Sequence, residues 1–312
     1  MARTRYAQDC ATIDGYEHHI AYVTPDGRWR FPTDLGVDAL AAAVPMAPAD
    51  GIAHVVGLGV DVMVPHMFCV PGTTTYRAQF DVPGIPYVGS TPAVTANKAW
   101  AKAIVAAAGV DVPPGELLRP GDRPTLAPPA VVKPADADNS LGVALVRSRE
   151  DYGPALTEAF THSPSALVER YVELGREVRC GVLVRDGGLV CLPLEECAVD
   201  DVRDHAHKIE RTADGGLRLA AKDTPRAGIV DPSDPVTGPV WEAARRCHVA
   251  LGARHYSLFD FRIDAGGRPW FLEAGMYCSF SPKSVIAVMA KAAGIGVDEL
   301  FRTALASALA AA

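Results

Sequence analysis

The chain has 312 residues, 49% hydrophobic and 21% charged, with Lys plus Arg at 30 against Asp plus Glu at 37. This excludes a disordered, collagen-like or coiled-coil protein, and a net charge of −7 without a basic run argues against nucleic-acid or membrane-surface binding. The 7 cysteines form no CxxC pair, MARTRYAQDC has no apolar stretch behind its charges, and no segment nears the roughly 20 apolar residues of a membrane span. The expectation is a soluble protein of the reduced cytoplasm.

In chain order, the first third offers one buried-strand candidate, His54 to Val64, in a Gly- and Pro-rich run. An Ala-rich helix follows from Ala93 to Ala108, closed by Gly109 and Pro113-Pro114. After a Pro-rich link (Arg119 to Pro129), the pattern predicts a strand (Ala130 to Lys133), a loop (Pro134 to Ser140) and a strand (Val143 to Val146). A helix (Glu150 to Thr161) and a strand (Ala166 to Tyr171) complete this segment. From Glu177 the pattern changes to hairpins: Val178 to Val184, a turn at Asp186-Gly187-Gly188, then Leu189 to Leu194. Ala198 to Asp231 is polar and aperiodic and reads as loops. A helix (Val236 to Leu251), a hairpin (Tyr256 to Ala274) and two helices close the chain. The mixture is α+β, in about three lobes: 1–91 an α/β N-terminal lobe, 92–172 a central lobe, and 173–312 a C-terminal lobe.

The hairpin carries the sharpest chemistry. With Gly266-Gly267 as a two-residue loop, Ala265 faces Arg268, and Asp260 falls directly opposite Glu273. Leu258, Asp260, Arg262 and Asp264 then share one face, while Phe259, Phe261 and Ile263 point to the core. Two opposed carboxylates destabilise a sheet unless something positive sits between them. The pair reads either as ligands for Mg²⁺, which binds one or two carboxylates plus substrate phosphates, or as a solvated acidic face partly neutralised by Arg262. GxxxxGK[ST] and GxSxG are absent, and His18-His19 and His205-x-His207 lack partners at zinc spacing.

Six stretches in order resemble the ATP-grasp superfamily, most closely its D-alanine–D-alanine ligase-like branch. They are GIPYVGS (84–90), NKAWAK (97–102), VVKPADADNSLGV (131–143), LVERYVELGREV (167–178), FDFRIDAGGRPWFLEAG (259–275) and SPKSVIAVMAKAAG (281–294). The resemblance implies three α+β lobes with ATP between the central and C-terminal ones. It also implies transfer of phosphate from ATP to a carboxylate, the acyl phosphate then being attacked by an amine. By that resemblance, Lys98 and Lys133 contact the ATP phosphates, and Ser140 belongs to the loop that covers them. Glu169, Arg170 and Val172 form the linker that reads adenine, and Glu177 holds the ribose. Lys208 is a further phosphate-contacting lysine, and Asp260 and Glu273 are the Mg²⁺ ligands, with Mn²⁺ an alternative.

The chain also departs from the family pattern. Gly275 stands where an Asn ligand is usual, and Leu258 where an arginine stabilises the developing oxyanion; Arg262, one strand-pair along, is its candidate replacement. The GxxGEDG stretch is not visible in HMFCVPGTTTYRAQF (66–80). In Ser281-Pro282-Lys283-Ser284, a Ser N-cap and a Pro at the first helical position predict a helix starting at Ser281. Its free N–H groups offer an anion site. The resemblance places the carboxylate of the amine substrate at Ser284, with Lys283 beside it. The implied function is an ADP-forming ligase joining two amino acids, as a dipeptide or a γ-glutamyl amide, in specialised metabolism. Ring closure within one substrate and non-catalytic nucleotide binding are the alternatives. The implied partners are small amino-acid substrates, with a homodimer left open.

Overall fold

The computed structural model describes residues 7, 10, 13–90, 94, 96–137, 140–199, 209–211, 217–219 and 227–310. In the N-terminal segment, a short hairpin of β1 (Tyr22–Val23) and β2 (Trp29–Arg30) buries Trp29 against Val55, Phe80 and Tyr87. Helices α1 (Val37–Ala42) and α2 (Pro48–Leu58) follow, then the short turns α3 (Val70–Thr73) and α4 (Thr75–Ala78). The predicted strand from His54 to Val64 is corrected: its first half is the end of α2. Pro48 at the helix start and Gly59 in the left-handed region just past its end (φ 65°) are ordinary boundary residues. The short apolar run HVVGLGV resembles a strand and a buried helix equally. Among the described residues the predicted α/β lobe carries only this hairpin and two isolated bridges, Trp29–Met46 and Met63–Tyr87.

Helix α5 (Lys98–Ala107) starts five residues later than predicted, because the Asn97 side chain accepts hydrogen bonds from the N–H groups of Ala99 (3.0 Å) and Trp100 (3.2 Å). It turns Ala101, Lys102 and Val105 inward. The next strands are β3 (Gly115–Leu118), β4 (Ala130–Pro134), β5 (Ala144–Val146) and β6 (Ala166–Arg170). They form an antiparallel sheet in the order β3-β6-β4-β5. Helix α6 (Tyr152–His162) lays Tyr152, Ala155, Leu156 and Ala159 on one face of it, against Val132, Val146 and Val168.

A larger antiparallel sheet follows. Its centre is β7 (Arg176–Arg185), with β8 (Gly188–Cys191), β9 (Glu195–Cys197), β13 (Tyr256–Ile263) and β14 (Pro269–Gly275) beside it. Val178, Cys180 and Val182 alternate inward with Phe259, Phe261 and Ile263, packing on Val240, Ala244 and Cys247 of α7 (Thr237–Ala250). The opposite face therefore presents Glu177 and Arg179 beside Asp260 and Arg262. Gly175 lets β7 begin hard against β13: a Cβ there would lie 2.7 Å from the Ile263 carbonyl oxygen. The predicted loop from Ala198 to Asp231 is also corrected. It contains β10 (Ile209–Arg211) paired with β11 (Leu217–Leu219), and β12 (Ala227–Ile229) on the sheet edge against β9. All three residues of β12 are exposed, so no apolar alternation marks it. Helices α8 (Val285–Ala292) and α9 (Val297–Ala310) close the fold over Tyr256 and Phe280.

Candidate active site

A cleft of about 780 Å³, including its open mouth, lies between the two sheets. Its walls bring together Lys98, Lys133, Ser140, Glu169, Arg170, Val172, Glu177, Asp260, Arg262 and Glu273, all singled out from the sequence. Lys208 lies outside the described residues. Lys283 is exposed, and neither it nor Ser284 lines the cleft.

The floor holds a charge triad that the sequence reading missed in part. Glu169 is buried, and its two oxygens are taken by Lys102 Nζ at 2.7 Å and Lys133 Nζ at 2.6 Å. Burial alone raises a carboxyl pKa, but the two ammonium groups outweigh it and hold Glu169 below its usual range. Glu169, expected from the resemblance to lie in the adenine-reading linker, thus also anchors two lysines at the cleft. Lys102 also donates to the Phe271 carbonyl (2.8 Å), tying α5 to β14. Burial lowers its pKa to about 8 against the pull of Glu169. Its sequence signal was position: four residues after Lys98, on the same stripe as Ala101 and Val105. Lys98 Nζ donates to the Ala137 carbonyl at the start of the loop that carries Ser140. Ser140 itself has φ 55°, a left-handed conformation that turns this loop back toward β5.

The hairpin register holds at the carboxylates but not at the turn. Asp260 pairs with Glu273, as expected. Nearer the turn, Phe261 pairs with Phe271 and Ile263 with Pro269, so Leu272 is an extra residue. The turn has three residues, Ala265 to Gly267, with Gly267 at φ 80° and Asp264 accepting from the Gly266 N–H (2.9 Å). A three-residue loop shifts the register by one, and the bulge at Leu272 shifts it back. The bulge also turns Leu272 and Glu273 together into the cleft while Phe271 stays in the core.

A cation not singled out from the sequence, Arg179 of β7, flanks Asp260 on the side away from Glu273. It pairs with Asp260 in the β7–β13 register, with Nε 3.5 Å from the carboxylate, while Nη1 donates to Glu195 at 3.0 Å. Arg262 is a correction: its guanidinium is held by Glu177 (3.0 Å) and the Val172 carbonyl (3.1 Å), and lies over the Tyr171 ring. It clamps the linker between the two sheets, because Glu177 faces it directly across the ladder. The donor set at Asp260 and Glu273 is two hard carboxylates, and among the described residues no three His, Cys, Asp or Glu form a metal cage. Such a pair fits Mg²⁺ completed by phosphate oxygens and water.

Past β14 the predicted helix start is corrected. Ser281 accepts the Ser284 N–H (2.8 Å) in a turn, and α8 begins at Val285 with Ser284 as its N-cap. Phe280, buried against Tyr256 and Phe301 with φ 50°, redirects the chain just before that turn. The Ser284 side chain does not cap the helix, and its buried hydroxyl has no hydrogen-bond partner among the described residues. The first-turn N–H groups of α8 therefore begin at Val285.

Residues 123–306 match the family described as D-ala D-ala ligase C-terminus. The D-alanine–D-alanine ligase of Geobacter sulfurreducens is 31% identical over 253 residues, covering 75% of this chain and 72% of that protein. Among solved structures, the VanG D-Ala:D-Ser ligase from Enterococcus faecalis superposes with a TM-score of 0.78 at 21% identity, covering 97% of this chain and 94% of that one. The D-alanine–D-alanine ligase from Bacillus anthracis complexed with ATP superposes with a TM-score of 0.66 at 19% identity, with 83% of each chain covered.

Proposed function

The chain belongs to the D-alanine–D-alanine ligase family of ADP-forming ATP-grasp ligases, and from that membership we propose that it joins two amino acids through an acyl phosphate. The observation that carries this reading is the convergence of lysines, linker and paired carboxylates on one cleft. Lys98 and Lys133 hold the phosphates as compact cations, and the loop at Ser140 covers them with hydroxyl and N–H donors. Glu169 fixes the position of Lys133, while the linker from Arg170 to Val172 lies against adenine and Glu177 against ribose. Asp260 and Glu273 hold Mg²⁺, which when bound neutralises charge during phosphoryl transfer. Arg179, beside Asp260 and held by Glu195, keeps that carboxylate in place.

The donor and acceptor are proposed as amino acids of specialised metabolism, giving a dipeptide or γ-glutamyl amide in the cytoplasm, because the segment from His66 to Phe80 departs from the family pattern. Release of ADP and phosphate across an amino-acid pair matrix with Mg-ATP tests the reaction; AMP and pyrophosphate would move the protein to an adenylating class. The acceptor's carboxylate is proposed to dock at the N-terminus of α8, beside Ser284 and Lys283. Ser284→Ala is expected to raise KM for the acceptor several-fold, leaving KM for ATP unchanged, and an acceptor amide should react poorly. Equal reactivity of the amide would exclude this docking.

A further inference from the structure

Where α4 meets β13 and the chain after β14, the fold buries a guanidinium that has no carboxylate partner among the described residues. Arg77 is 0% exposed. Its Nη1 donates to the carbonyls of Ser90 (2.6 Å) and Met276 (3.2 Å), while Nε and Nη2 have no hydrogen-bond partner among the described residues. Among the described residues the groups acting on it are the phenols of Tyr256 and Tyr87, then Arg254, with His66 beside it, and none is a carboxylate. His66 adds no charge at neutral pH, since burial first, and then Arg77, lowers its pKa to about 4. Gly89, at φ 91°, lets backbone close over the cluster: a Cβ there would lie 2.9 Å from Arg77 Nη1 and 2.8 Å from the Tyr256 hydroxyl.

An arginine does not deprotonate in a protein, so this charge persists, and an isolated buried charge is costly. Elsewhere in this chain the same edge of a guanidinium grips a carboxylate with both nitrogens. Arg176 uses Nε and Nη2 on Glu196 (2.8 and 2.7 Å), and Arg268 uses the same two atoms on Asp111. In Arg77 that fork is the part left without a partner. It also lies near the chemistry: Met276, whose carbonyl it holds, follows Glu273 by three residues. Resting on the ligase reading, we propose that the Nε/Nη2 edge of Arg77 binds the donor's unreacted carboxylate, the one a γ-glutamyl donor keeps, since the acceptor's is placed at α8. A planar two-oxygen anion matches the fork. Entry requires α4 and the chain after β14 to part locally, because the guanidinium is closed off from solvent.

Propionate, propionamide and inorganic phosphate are titrated into the full chain while its melting temperature is followed. Propionate is expected to give a saturable upward shift and propionamide none. Arg77→Gln should abolish the shift, and Arg77→Lys, which keeps the charge and loses the fork, should weaken it about tenfold or more. If Arg77→Gln does not fold, Arg77→Lys decides. With a productive amino-acid pair, Arg77→Lys should raise KM for the donor and leave KM for ATP unchanged. No saturable shift in the wild type, an unchanged shift in Arg77→Lys, or a larger shift with phosphate than with propionate overturns the proposal. The melting readout needs no turnover, so its failure is distinct from failure of the ligase reading.

Discussion

Asp260→Ala and Glu273→Ala are each expected to lower ADP release by about 100-fold or more, with the double variant losing little beyond either single one. Asp260 and Glu273 face each other across β13 and β14, and the bulge at Leu272 aims Glu273 into the cleft. Two carboxylates that share one metal form a unit, and removing either removes the unit. Folding should survive, because Arg179 keeps Glu195 as a partner when Asp260 is lost. The check is ADP release against Mg²⁺ concentration beside a melting curve for each variant. Turnover near wild type in Glu273→Ala would reduce the pair to a charged surface. Gly275→Asn is expected to be tolerated, since a Cβ there meets Leu258 at an ordinary 3.7 Å. It should lower the Mg²⁺ concentration needed for half-maximal activity if its amide oxygen reaches the metal.

The pairing of these carboxylates was legible in the sequence for an instructive reason. The assumed two-residue turn was one residue too short, and the unseen bulge at Leu272 cancelled that error by the time the strands reached Asp260. Alternation reports which residues share a face, but a bulge writes no signal into hydrophobic pattern. Strands β4 to β8, β13 and β14 were readable because their buried faces are apolar, as in β7 and β13, while β3 and β9 were not predicted. β12 was not, since none of its residues is buried. Residue type also failed to show which charges are spoken for. Arg262 and Arg179 lie on the same sheet face, yet only the cross-strand register reveals that Arg262 meets Glu177 and Arg179 meets Asp260. Lys102 hid for a similar reason: an interior lysine in an Ala-rich helix looks like solubilising charge until its partner from β6 is placed beside it.

Lys102 gives the other large effect, and its sign differs between activity and stability. Lys102→Met is expected to destabilise the fold by about 3–5 kcal/mol, because it removes one of the two cations that neutralise a buried carboxylate. In the wild type the same group titrates. Burial lowers its pKa from 10.5 to about 8, so between those values the unfolded chain holds a proton that the folded chain has released. Stability contributed by this group therefore rises with pH across that window rather than falling. ATP binding should run the other way. Once Lys102 is neutral, Glu169 keeps only Lys133 as a cationic partner among the described residues, and Lys133 is drawn toward Glu169 and away from the phosphates. KM for ATP is thus expected to climb above about pH 8 while the melting temperature shows no matching fall from this group. Lys102→Arg, which stays charged, should carry that limb to higher pH. An alkaline limb unmoved in Lys102→Arg would assign the titration to a different group and leave the triad a purely structural feature.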